Sequence, residues 1–205
     1  MVPSKILSLI HAWRTALFSQ YTIADVMRIS GKRSKPWVFN GLNHLKAQRL
    51  ITLERKGNLN LYSLDLDNPV VPSIVHYLDS QQSLTYSGPL KDLLRKIPSR
   101  IDFSLLVFGS YADGSAKKTS DLDLCFLVHT EKVGKSLKPF LNEAQLSSVI
   151  TLDAHFITFD DFVKMLLRDE ENLAKQVYRK SRIIFNPTRF FRLLKEARKH
   201  GFNPR

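Results

Sequence analysis

Apolar positions along this chain change period twice. From Ser4 to Ser19 they recur as in one helix, and a second short helix follows over Tyr21–Ile29, with Ile23, Val26 and Met27 inward and Gly31 as the stop. After the basic turn Lys32-Arg33-Ser34-Lys35, Pro36 suits a first helical turn. Val38, Leu42 and Leu45 then carry a third helix down to Gln48 at three- and four-residue spacing. The period next shortens to two. Leu50–Arg55 and Leu59–Leu64 are β-prone runs on either side of Gly57-Asn58, which predicts a hairpin.

Residues 68–100 carry no such regularity. Asp67-Asn68-Pro69, Pro72, Ser87-Gly88-Pro89 and Pro98-Ser99 punctuate two expected helices, Ser73–Gln82 and Leu90–Ile97, and the stretch is expected to contain the domain boundary. From Ile101 onward strands alternate with helices. Strands are predicted at Phe103–Phe108, Asp121–Val128 and Val149–Thr158, with a short apolar run at Ile183-Ile184-Phe185. Helices are predicted at Ser136–Ser147, Phe159–Tyr178 and Thr188–Lys199. The expected architecture is therefore a three-helix-plus-hairpin unit with the layout of a winged helix-turn-helix over 1–67, a connector over 68–100, and an α/β (α+β) domain with a mixed sheet over 101–205.

Composition narrows the setting. No apolar stretch approaches the roughly 20 residues of a bilayer span, and Lys5, His11 and Arg14 interrupt the opening segment, so neither a membrane helix nor a signal peptide is expected. The single cysteine, Cys125, has no partner for a disulfide, which fits a reducing compartment such as the cytoplasm. The net charge of +12 is unevenly divided: residues 101–160 hold five Lys/Arg against eight Asp/Glu, whereas 161–205 hold twelve against five. An acidic segment inside a basic chain suits a cation site flanked by surfaces that attract phosphate.

The acidic segment has a pattern. Residues two apart on a strand share a face, so Asp121 and Asp123 point together while Leu122 and Leu124 enter the core. Asp153 is a lone carboxylate in the apolar run Ile150–Phe156, and if that strand pairs beside the first, it completes a triad of oxygen ligands for divalent cations. His155 alternates onto the same face as Asp153, where a structural hydrogen-bonding role and a catalytic one are both open. Gly109 and Ser110 end the strand before; a turn there into a short helix offers backbone N–H groups and a hydroxyl to phosphate. Lys117 and Lys118 lie in the following loop as candidate phosphate contacts. Tyr178, Arg179, Lys180 and Arg182 either flank a nucleotide or form helix surface.

Gly109-Ser110, ten residues, then Asp121-x-Asp123, with Asp153 on a later strand, resembles the pattern of the DNA polymerase β-like nucleotidyltransferase superfamily, in size closest to its minimal nucleotidyltransferases. The resemblance spans roughly residues 88–190. It implies that Asp121 and Asp123 bind two Mg²⁺, that Asp153 ligates the catalytic ion and helps activate the acceptor hydroxyl, and that Gly109 and Ser110 hold the triphosphate. It further implies transfer of a nucleoside monophosphate from an NTP, expected to be ATP, to a hydroxyl, with release of pyrophosphate. Acceptors in the superfamily include protein side chains, nucleic-acid 3′ ends and antibiotics. Minimal members are often paired with HEPN-type ribonuclease toxins and adenylylate a tyrosine on them, which implies an antitoxin role; the added N-terminal unit departs from the shortest of these.

The first unit has its own candidates. Lys32, Arg33, Lys35, Lys46 and Arg49 around the third helix, with Arg55 and Lys56 in the hairpin, suit contacts to DNA phosphates, and Asn40, Asn43 and His44 are candidates for base edges. Two rival readings remain: a winged-helix transcriptional regulator whose α/β domain senses nucleotide without turnover, and a nucleic-acid 3′-end nucleotidyltransferase held on its substrate by the basic segments.

Overall fold

A computed structural model describes residues 2–82 and 87–204; the part of the expected connector at 83–86 lies outside the described residues. The chain forms two compact units, the first reaching to Leu78 and the second running from Asp79 to Asn203.

The first unit opens with α1 (Ser4–Leu7), which tightens into a 3₁₀ turn over Ser8–Trp13. The expected single helix to Ser19 is not formed. Instead the chain winds through successive short turns, Ala16 N–H to Trp13 O and Ser19 N–H to Ala16 O, and the Trp13 indole donates to Ser19 O at 3.0 Å. That folding-back buries Trp13 completely, which a straight helix extending to Ser19 would not require. Helix α2 (Ile23–Ser30) begins at a capping box: Asp25 N–H donates to Thr22 Oγ1 at 3.2 Å, and Thr22 N–H donates to Asp25 Oδ2 at 3.1 Å. It ends at Gly31 in the left-handed region, φ +66°.

Helix α3 (Lys35–Ala47) is capped by Ser34 and buries Val38, Leu42 and Leu45, the stripe its sequence spacing predicts. Strands β1 (Ile51–Lys56) and β2 (Leu59–Leu64) form the antiparallel hairpin. Its root is held by Ile51, Tyr62 and Leu64, all buried, while Thr52–Lys56 are exposed.

Helix α4 (Val71–Gln82) starts two residues before its expected bound, and α5 (Ser87–Lys96) takes Ser87-Gly88-Pro89 into its first turn, where proline is tolerated. In the second unit β3 (Phe103–Val107), β4 (Leu122–Val128), β5 (Leu152–Thr158) and β6 (Arg182–Phe185) form one sheet in the order β5-β4-β3-β6. Strands β4 and β5 are parallel and the other two pairings antiparallel, so the sheet is mixed. Helices α6 (Gly109–Asp113), α7 (Glu131–Leu146), α8 (Phe159–Leu167), α9 (Leu173–Arg179) and α10 (Pro187–Lys199) fill the connections. One core, built on Leu105, Val107, Leu122, Leu124 and Phe126 with Leu93 and Leu137, lies under the sheet. No helix among the described residues is long and apolar enough to cross a membrane.

Two helix expectations need correction. Helix α7 starts at Glu131 rather than Ser136, because Thr130 supplies the cap, accepting from Val133 N–H at 3.4 Å. Pro139 suits the first turn of a helix begun at Ser136, which favours the later start, yet it lies inside α7. The helix expected over Phe159–Tyr178 is two helices. Asn172 breaks it: its Nδ2 donates to Met165 O at 2.7 Å, and its Oδ1 caps α9 through Lys175 N–H at 3.2 Å. Leu166, Ala174 and Val177 continue to bury apolar surface on both sides of the break, so the hydrophobic pattern conceals it.

The capping box gives a test of the first unit. Thr22→Ala is expected to cost about 1 kcal/mol, the usual worth of such a cap, read as earlier denaturant unfolding and faster amide exchange in α2. The Thr22 hydroxyl and backbone N–H hold the Asp25 carboxyl below its ordinary range. Its stabilising contribution is therefore present above the ordinary carboxylate pKa and fades as pH falls through the lowered folded-state value. The wild type should lose more stability than Thr22→Ala across that acidic window.

Candidate active site

The carboxylates come together through strand pairing. Parallel β4 and β5 pair in a register that sets Asp123 directly against Asp153. Asp121 lies just before β4, exposed, and Asp123 follows one pleat later, half-buried, with Leu122 and Leu124 pointing into the core between and beyond them. Burial pushes the Asp123 carboxyl above its ordinary range, the Asp153 and Asp121 charges push the same way, and His155 partly opposes them. His155 Nε2 stands 3.5 Å from Asp153 Oδ2, and its ring meets the edge of Phe108 at 5.6 Å. Cys125, next on the Asp121–Asp123 face, is fully buried, and burial pushes its thiol up to about 12.

Gly109 abuts this cluster. It has φ +66°, and a Cβ placed on it would come within 2.0 Å of Asp123 Oδ2. A side chain there is excluded twice, by the left-handed backbone and by the carboxylate. The turn leads into α6, where Ser115 and Ala116 N–H both close back on Ser110 O, at 2.9 and 3.1 Å. Arg182 Nε donates to Ala112 O at 3.0 Å, and its guanidinium pairs with the buried Asp79, which also accepts from Ile183 N–H at 2.8 Å. The short helix is thereby tied to β6 and α4.

A cavity of about 360 Å³ opens beside this turn. Gly109, Ser110 and Ser115 form one side, and Glu171, Arg179 and Lys180 another. Lys117 and Lys118, singled out in the sequence, are exposed and do not line it; Lys117 is held in a turn by Ser120. Of the four residues the sequence left undivided, Tyr178 is buried and Arg182 is committed to Asp79 and Ala112, while Arg179 and Lys180 face the cavity. Their proximity to Gly109 depends on where the chain returns after α8, which no local pattern encodes.

The donor set is chemically suited to a hard divalent cation: it is all oxygen, and Asp123, raised first by burial and then by the Asp153 charge, carries a cost that a cation would relieve. Among the described residues no three His, Cys, Asp or Glu side chains close into a cage for one ion. Mg²⁺ is usually taken by one or two carboxylates together with substrate phosphates. Asp121, Asp123 and Asp153 are oxygen donors of that type, and none of them lines the cavity beside Gly109.

Residues 90–189 match the family model for polymerase beta, nucleotidyltransferase. The match covers 100 of the 205 residues, just under half of the chain, and makes this stretch similar to that family. It takes in α6, the three carboxylates, and both walls of the cavity. Neither the curated proteins nor the solved structures gave a match to this chain. The matched stretch starts within α5 and ends at the beginning of α10.

In the first unit, Lys32, Arg33, Lys35, Asn40, Lys46, Arg49, Arg55 and Lys56 are exposed, and Asn43 and His44 are half-buried. His44 turns Nε2 into the interior, where that atom has no hydrogen-bond partner, so that nitrogen is not presented to a base edge. Lys56 reaches Gln20 Oε1 at 3.0 Å and Glu54 at 3.5 Å. A second cavity of about 610 Å³ is lined by Lys5, Lys32 and Arg33, by Ser4, Ser8 and Ser34, and by Trp37. Lys5, Ser4 and Ser8 were not among the sequence candidates; their distance along the chain from Lys32 hid them.

Gly109→Ala is expected to destabilise the second unit by about 1–2 kcal/mol from the left-handed backbone alone, with a further loss from displacing Asp123. Asp123→Asn removes one charge from the cluster and keeps its shape. In chelator at neutral pH it is expected to raise the melting temperature, and thermal melts of both variants check the pair of signs.

Proposed function

We propose that the second unit is a Mg²⁺-dependent nucleotidyltransferase that moves a nucleoside monophosphate from an NTP, ATP first among the candidates, to a hydroxyl. The observation that carries this reading is the register of β4 and β5, which sets Asp153 against Asp123 beside the Gly109 turn. Asp121, Asp123 and Asp153 would hold the ions. When bound, Mg²⁺ supplies neutralisation of phosphate charge and of the developing charge on the entering and leaving oxygens. Gly109 and Ser110 offer backbone N–H groups, and Ser110 a hydroxyl, to phosphate oxygens. Asp153 takes the proton of the acceptor hydroxyl as its oxygen bonds to the α-phosphorus. The bond from that phosphorus to the bridging oxygen breaks, and pyrophosphate leaves. Following the minimal members of the superfamily, a protein tyrosine, such as one on a HEPN-type toxin, is the acceptor to test first.

Each labelled NTP, incubated with the protein, Mg²⁺ and a lysate, is expected to give a labelled macromolecule together with pyrophosphate. Asp121→Ala and Asp123→Ala should each lower transfer more than about 100-fold, beyond the cost of removing a ligand's outer hydrogen-bond partner. Equal transfer by wild type and both variants would overturn the reading. Label on an oligonucleotide rather than on protein would move the acceptor to a nucleic-acid 3′ end, and NTP binding without transfer would favour a sensor domain.

For the first unit we propose a winged-helix DNA-binding role, supported by the exposed cations on and beside α3 and by the basic cleft that includes Lys5, Lys32 and Arg33. Duplex binding should weaken steeply with salt, and neutral replacement of a phosphate-contacting Lys32 should lower the slope of log K against log salt by about one. Binding that ignores salt would remove this role.

A further inference from the structure

The far wall of the cavity beside Gly109 differs in kind from the near one. The near wall presents a glycine turn, two serines and the Asp113 carboxylate; the far wall presents Arg179 and Lys180 from the end of α9, with Gln176 of that helix and Glu171 from the segment leading into it. Arg179 is ion-paired to Glu171, and both side chains remain largely open to solvent, 42% and 55% exposed. Lys180 is exposed and near enough to Asp113 for its charge to help draw that carboxyl down, after the larger effect of the Ser115 hydrogen bonds.

The neighbouring arginines show what a structural cation looks like in this domain. Arg182 is only 21% exposed, holds Ala112 O, and faces the fully buried Asp79. Arg189 pairs with Asp102 while lying over the Phe159 ring at 4.8 Å. Neither lines the cavity. Arg179 and Lys180 do, and their one ion pair is of the exposed type that adds little to stability. A pair so weakly favoured is readily exchanged for a polyanion, because a guanidinium gains charge-assisted, two-pronged hydrogen bonds to phosphate oxygens.

Resting on the nucleotidyltransferase reading above, we infer that Arg179 and Lys180 form the second wall of the triphosphate site, and that Glu171 is an exchangeable counter-ion that Arg179 leaves when phosphates enter. The far wall binds phosphate through side-chain charge, and Lys180 offsets the Asp113 carboxylate on the near wall. Glu171 has two effects of the same sign: it occupies Arg179 and it places a negative charge beside the entering phosphates. Lys117 and Lys118 have no part in this site.

The test is equilibrium binding of ATP and of adenosine to the full chain by calorimetry, with melting curves for every variant. Arg179→Gln and Lys180→Gln are each expected to weaken ATP binding on the order of tenfold, the worth of one charged hydrogen bond, and to leave adenosine binding unchanged. Glu171→Gln should tighten ATP, and Arg179→Lys should restore part of the loss. Lys117→Gln should match wild type. Wild-type ATP affinity in both Arg179→Gln and Lys180→Gln would overturn the inference while leaving the nucleotidyltransferase reading intact, as would equal losses for ATP and adenosine. Failure of the wild type to bind ATP at all would instead remove that reading, and this inference with it.

Discussion

Asp123 is held half-buried beside Asp153 and Asp121, and the turn at Gly109 is built around its carboxylate. Like charges on paired strands repel, and partial burial strengthens the repulsion by lowering the local dielectric. The strands that carry them are compensated from below. Leu122, Leu124 and Phe126 are buried, as are Leu105 and Val107 on the neighbouring strand, and each such side chain contributes about 1.5–3 kcal/mol. The domain has core enough to hold a strained cluster at its surface.

The same carboxylate dictates the turn opposite. With Asp123 Oδ2 where a Cβ of residue 109 would be, only glycine fits, and its left-handed backbone sends the chain sharply into α6. A five-residue helix has little stability of its own. Arg182 holds its last turn through Ala112 O, and Asp79 holds Arg182 and the start of β6. A buried ion pair of this kind is costly to break once made, because the surviving charge is left without its partner. It serves here to hold the Gly109 turn against the sheet.

The first unit obeys simpler rules. Its third helix buries Val38, Leu42 and Leu45 and turns its cations outward, as the sequence spacing requires. His44 is the exception among its polar candidates. Position on a helix face does not fix the direction of a long side chain, and its Nε2 points inward. The opening segment also misled, because apolar residues at helical spacing satisfy a 3₁₀ turn and a chain reversal as well as a straight helix.

The sequence by itself determined the elements whose pattern is local: the hairpin around Gly57-Asn58, the strand pair around Gly109 and Asp121–Asp123, and the reaction class that this spacing suggests. It could place Asp153 on a strand but not beside Asp123, since register between β4 and β5 is set by the helix packed between them in sequence and by the core they share. It could not see the break at Asn172, because buried residues continue on both sides of it. Tertiary structure alone decided which cations meet the glycine turn. Arg179 and Lys180 reach it because α8 and α9 fold back across the sheet, while Lys117 and Lys118, far closer in sequence, do not line the cavity. Alternation and spacing are written in neighbouring residues, whereas convergence of α6 with α9 depends on packing between segments some seventy residues apart.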